Sequence, residues 1–105
     1  MSIKIGNIRT FVPDGSIAIK VDRYSSPLGN PYYMRDESKR DSVCDDYEEY
    51  FNAMMYTDNR FINEVNRICK LAETNDITLL CWCAPKRCHA ETIKKYIEQK
   101  LEDEK

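Results

Sequence analysis

Apolar positions along the chain switch between two periods, and each switch marks an element. Ile3 and Ile5, then Ile8, Thr10 and Val12, alternate with polar residues on either side of Gly6-Asn7. That is the period of a half-buried strand, with a break or bulge at the glycine. Pro13-Asp14-Gly15 comes next as a turn signal, because proline fixes φ and glycine supplies positive φ. Ile17, Ile19 and Val21 then alternate with Ala18, Lys20 and Asp22. Together the two segments predict a hairpin with one buried face.

Residues 23–34, RYSSPLGNPYYM, break every periodicity. Pro27 and Pro31 bias Ser26 and Asn30 towards extended backbone, so this is a structured loop with little freedom. A charged connector runs on to Arg40. Asp41 or Ser42 is placed to cap a helix whose apolar face is Val43, Tyr47, Tyr50, Phe51 and Met54. A second helix starts at Asp58 or Asn59 and carries Phe61, Ile62, Val65, Ile68, Cys69 and Ala72 on one side. Asn75-Asp76 ends it. Ile77 to Cys83 is a continuous apolar run, suited to a central strand buried on both faces. Pro85 stops that strand, and Ile93, Tyr96, Ile97 and Leu101 mark the face of a last helix. The order strand, strand, loop, helix, helix, strand, helix predicts a small single α/β domain over residues 1–105 with a frayed tail from 101. Its short sheet would combine the N-terminal hairpin with the buried central strand, packed by three helices in a Rossmann-like manner.

Composition narrows the function classes. With 105 residues, 42% hydrophobic and 32% charged, the chain has room for one core and is not disordered. Its net charge of −2 lacks the basic excess of a nucleic-acid binder. No apolar run approaches membrane-span length, and the N-terminus has no signal-peptide block, so a cytoplasmic protein is expected. Five cysteines are many for this length. In a reducing compartment they read as free thiols, a metal site or a reactive group.

The chemistry concentrates in ITLLCWCAPKRCHAETI, residues 77–93. A buried strand that turns sharply into a helix aims unpaired N–H groups and the positive dipole end at the turn. With Lys86 and Arg87 beside it, the turn is a candidate anion site formed by Cys83, Ala84, Pro85, Lys86 and Arg87. Arg23 and Arg40 could add forked donors, and Ser25, Ser26, Gly29 and Asn30 would supply the opposite wall. Cys88 lies near a helix start beside Lys86 and Arg87, where a thiol is expected to ionise more easily. Cys88 and His89 are therefore the candidate reactive groups, although neighbours on a helix point about a quarter-turn apart. Packing is the plainer explanation for both. Zinc would need Cys81, Cys83, Cys88 and His89, yet C-x-C-x4-C-H lacks the two separated pairs of a structural zinc site. No cofactor is implied. Tyr24, Tyr32, Tyr33 and Trp82 belong to an aromatic set that is mostly core, with one of Tyr32 and Tyr33 a candidate pocket wall.

SPLGNPYYMRDES and LLCWCAPKRCHAETI together resemble a family of small phage, prophage and bacterial proteins catalogued as domain of unknown function 4326. The matching positions are Ser26 to Pro31, Arg40, Tyr47, Cys81 to Pro85, Cys88 and His89, with Ala90 where a glycine often follows the histidine. The resemblance implies a phage-type origin, hence host cytoplasm, and a shared site without a settled reaction. The expected function is binding of a small phosphate-bearing or nucleotide-like molecule between the SPLGNP loop and the CAPKRCH turn. A host-takeover or anti-defence protein, acting on a host bacterial protein or by sequestering a nucleotide signal, is the alternative. A zinc-stabilised module is the third.

Overall fold

The computed structural model describes residues 2–32, 34–84 and 86–103. Strands β1 (Ile3–Asn7), β2 (Ile17–Lys20) and β3 (Ile77–Cys81) form one sheet in the order β1-β3-β2. Both outer strands run parallel to β3, with Ile3 and Ile17 opposite Ile77, and Ile5 and Ile19 opposite Leu79. The expected hairpin is therefore wrong. Alternation fixes which face of a strand is buried, but not which neighbour it pairs with. β3 is buried at every position and takes a partner on each edge. A β1–β2 hairpin would have left it one edge short.

The connection 8–16 makes this possible by crossing the outer face of β3. Ile8 N–H donates to the Cys81 carbonyl (2.9 Å), and the chain then turns as Phe11 N–H bonds the Asn7 carbonyl (2.9 Å). At the far end Ser16 Oγ lies 2.6 Å from Thr78 Oγ1. Leu80 and Thr78 are buried beneath this strap. A Cβ at Gly6 would stand 3.1 Å from Leu80 Cδ2 and 3.6 Å from Phe11 Cδ1, so the glycine leaves room for the crossing.

The helices cover the other face. A short 3-10 turn, Glu37–Lys39, leads into α1 (Arg40–Thr57), followed by α2 (Asn59–Ala72) and, after β3, α3 (Ala90–Asp103). The cap before α1 is Asp36, whose carboxylate accepts from Ser38 N–H (2.9 Å), rather than Asp41 or Ser42. Asp58 caps α2 by accepting from Phe61 N–H (2.9 Å). Tyr47 and Phe51 of α1, Phe61 and Val65 of α2, and Ile93 and Ile97 of α3 form one core cluster with Ile3, Ile19, Ile77 and Leu79. The protein is thus a small mixed α/β domain. Its sheet has helices on one face and a strap on the other, which is not the two-faced Rossmann arrangement. The last helix reaches Asp103, so Leu101 to Asp103 are helical and only 104–105 of the expected frayed tail lie outside the described residues. No helix among the described residues is long and apolar enough to cross a membrane.

The loop after β2 folds back on itself. A Cβ on Gly29 would fall 2.0 Å from Arg23 Cα, a backbone contact that no side chain can relieve. Gly29→Ala should therefore lower stability by about 2 kcal/mol or more in urea unfolding. A change below about 0.5 kcal/mol would mean that the loop reorganises freely.

Candidate functional site

The carboxyl ends of β2 and β3 lie side by side, and the site is built on the segments that leave them. After β2, Val21 N–H still pairs with the Leu80 carbonyl (3.0 Å). Asp22 then turns the chain, its carbonyl accepting from Ser25 N–H (3.3 Å) and Ser26 N–H (3.2 Å). Leu28 is fully buried and acts as the anchor of the loop. The Tyr47 hydroxyl donates to the Leu28 carbonyl (2.7 Å), which ties the loop to α1. Asn30 Oδ1 accepts from Tyr32 N–H (2.9 Å), and Arg23 Nη2 donates to the Tyr32 carbonyl (3.2 Å).

After β3, the Asn7 side-chain amide donates to the carbonyls of Trp82 (3.1 Å) and Ala84 (2.9 Å), holding the turn to the end of β1. Cys81 and Cys88 face each other at 2.9 Å between sulfurs, both buried. The neighbouring Cys88 thiol, joined by N–H groups of Cys83 and Ala84, holds the Cys81 thiol below the usual cysteine range. Cys88, having given its proton to that bond and lying buried, is pushed up. This reverses the expectation of an easily ionised Cys88: its partner sulfur outweighs the flanking basic residues. His89 is also buried, and its Nε2 donates to the Val21 carbonyl (2.6 Å) while Tyr47 packs edge-on against the ring (5.1 Å). Burial lowers its pKa below the usual histidine value. Cys88 and His89 thus have separate partners and do not form a nucleophile–base pair.

The helix start is less open to an anion than its sequence implied. Cys88 N–H donates to the Glu91 carboxylate (3.1 Å), and Ala90 N–H to the Cys88 sulfur. The basic residues are engaged too. Arg87 holds Asp41 (3.0 Å) and Asp45 (2.9 Å), Lys86 reaches Glu37 (3.3 Å), and Arg40 grips Glu37 while donating to the Arg87 carbonyl (2.8 Å). These contacts pin the turn to α1. Among the described residues no three His, Cys, Asp or Glu side chains gather to hold a metal ion. Cys81 pairs with Cys88, Cys83 lies beside the Arg40 guanidinium, and His89 turns to Val21.

A cavity of about 170 Å³ opens between the loop and the turn. Of the residues singled out by sequence, Arg23, Asn30, Arg40, Cys83, Arg87, Cys88 and His89 line it. Ser25, Ser26 and Gly29 lie instead on an adjoining open groove that shares Arg23, Tyr24 and Asn30 with the cavity and includes Arg60. Ala84 and Lys86 face a different groove, beside Lys94 and Lys95. Pro85 and Tyr33 lie outside the described residues.

Sequence reasoning missed Asp22. It stood as the wet position of an alternating strand, yet it is only 5% exposed and lines the cavity. Its Oδ2 accepts from Trp82 Nε1 (3.3 Å), and its Oδ1 has no hydrogen-bond partner among the described residues. The one available signal was position, an acidic residue directly after a strand that ends at a turn-rich loop. Tyr24, Tyr32 and Trp82 line the same cavity and remain 83%, 41% and 51% exposed.

A family model described as Domain of unknown function (DUF4326) matches residues 9–99. No curated protein and no solved structure matches the chain.

His89 is the chain's single histidine, so its titration is readable without interference. The unfolded chain takes up a proton near pH 6.5 that native His89 resists, so stability present above that pH should decline on acidification through it. An NMR titration should place the imidazole midpoint below about 6.5; a midpoint at or above it would show that burial does not govern the ring. Thiolate ultraviolet absorbance should rise below the usual cysteine range in the native protein and lose that component in Cys81→Ala.

Proposed function

The chain belongs to the DUF4326 family, whose matched span carries both walls of the cavity, and on that premise we propose that it binds a small nucleotide-like molecule there. The observation that carries this reading is Asp22, a residue of the cavity lining whose buried carboxylate has one oxygen without a hydrogen-bond partner among the described residues. A buried acceptor without a donor is costly, and a ligand N–H would remove the cost. The size of the cavity supports the same reading. A void of about 150 Å³ takes a benzene ring, so 170 Å³ suits one heteroaromatic ring system and not a whole nucleotide. Exposed Tyr24 and Trp82 offer faces for stacking.

The phosphate-bearing end would then lie in the adjoining groove, beside Arg23, Ser25, Ser26 and Arg60. Lys86, Arg87 and Arg40 are poorer candidates for that charge because each already holds a carboxylate. Binding without turnover fits best, since Cys88 and His89 are committed to Cys81 and Val21. In a phage-type protein that behaviour would sequester a nucleotide from its host.

Titration calorimetry with nucleosides, nucleotides and inorganic phosphate tests the proposal. Nucleotides should bind, Asp22→Ala should weaken binding by about tenfold or more, and Arg60→Ala should remove the advantage of nucleotide over nucleoside. Lys86→Ala should change little. An absence of nucleotide binding, or affinity unchanged by Asp22→Ala, would overturn the assignment.

A further inference from the structure

We propose that the ring recognised in the cavity is guanine-like, presenting two adjacent N–H donors, and that Asp22 selects it. The inference rests on the nucleotide-binding reading and names its base.

Asp22 is fixed before any ligand arrives. Val21 is still in register with Leu80, and the Asp22 carbonyl is held by the Ser25 and Ser26 amides. Asp22 is 5% exposed, and its side chain cannot swing out to water without leaving the Trp82 indole. An ionised carboxylate only accepts, through two oxygens with about four lone-pair sites. Here a single indole N–H, at a long 3.3 Å, meets one oxygen and none meets the other among the described residues. The unmet capacity is therefore for parallel donors on a planar group, the geometry a carboxylate accepts in a bidentate pair.

The nucleobases differ in this respect. The pairing edge of guanine places N1–H next to the exocyclic N2 amine, so two donors face one carboxylate. Adenine offers its N6 amine beside the N1 lone pair, and cytosine its N4 amine beside N3. In both, an acceptor would confront the second oxygen. Uracil sets one N–H between two carbonyls. A site built to hydrogen-bond a group rejects analogues that lack it, because its own polar atoms stay unpaired. A simple guanidinium shares the donor pair but lacks a ring for the Trp82 and Tyr24 walls, so the aromatic lining favours the base.

Competition among guanosine, adenosine, cytidine, uridine and inosine monophosphates and methylguanidinium, measured by calorimetry on the full chain, tests this. Guanosine monophosphate should bind about tenfold or more tightly than each of the others, inosine monophosphate being the decisive one because it lacks only the N2 amine. Asp22→Asn replaces an acceptor by a donor at constant shape. It should lose guanosine monophosphate by about tenfold and gain xanthosine monophosphate, whose carbonyl replaces that amine. Equal affinity for guanosine and inosine monophosphates overturns the inference in the wild-type chain alone, whether or not the variant folds. Equal affinity for methylguanidinium overturns the ring requirement. If nucleotides bind but without base preference, only this inference fails. If none binds, the nucleotide reading fails and takes this one with it.

Discussion

Because β3 pairs along both edges, its carboxyl end emerges between the ends of two other strands, and the site depends on that placement. Asn7 at the end of β1 clamps the Trp82 and Ala84 carbonyls from one side. Val21 and Asp22, beyond β2, meet His89 and Trp82 from the other. A hairpin between β1 and β2 would have separated these groups. The strap 8–16 is the cost of the parallel arrangement, and Gly6, by carrying no side chain, lets it lie close.

Around that end, polar chemistry divides into two kinds. The basic residues of the turn are engaged with acids of the 3-10 turn and α1, where they fix the position of the turn and do not offer net positive charge. Exposed pairs of this sort contribute little each to stability, but several together set the spacing of α1 and the turn across the cavity mouth. The sulfurs and the imidazole are satisfied internally as well: Cys88 on Cys81, His89 on Val21. Asp22 is the exception. A carboxylate oxygen left without a donor among the described residues, in a well-connected neighbourhood, marks the place where a binding partner would add most.

The helices were readable from the chain because 3.6-residue periodicity and the Asp58 cap are local properties. So was the buried strand Ile77–Cys81, whose unbroken apolar run allows no wet face. The two stretches that break periodicity, SPLGNP and CAPKRCH, were identifiable as loops, but of the first only Asn30 lines the cavity that Cys83, Arg87, Cys88 and His89 of the second also line. Asp22 was not identifiable. An acidic residue on the polar phase of an alternating strand looks solvated until a neighbouring strand and a tryptophan close over it.

The sequence by itself determined the α/β class, the three helices, the central strand and the two turn-rich loops, because each rests on periodicity or on proline and glycine stereochemistry within a few residues. Only the tertiary structure decided strand direction, the burial of Asp22 and the partners of Arg87, Cys88 and His89. Those depend on which distant groups the sheet order brings within hydrogen-bonding reach, and no local pattern encodes a contact between residues as far apart as Asp22 and Trp82.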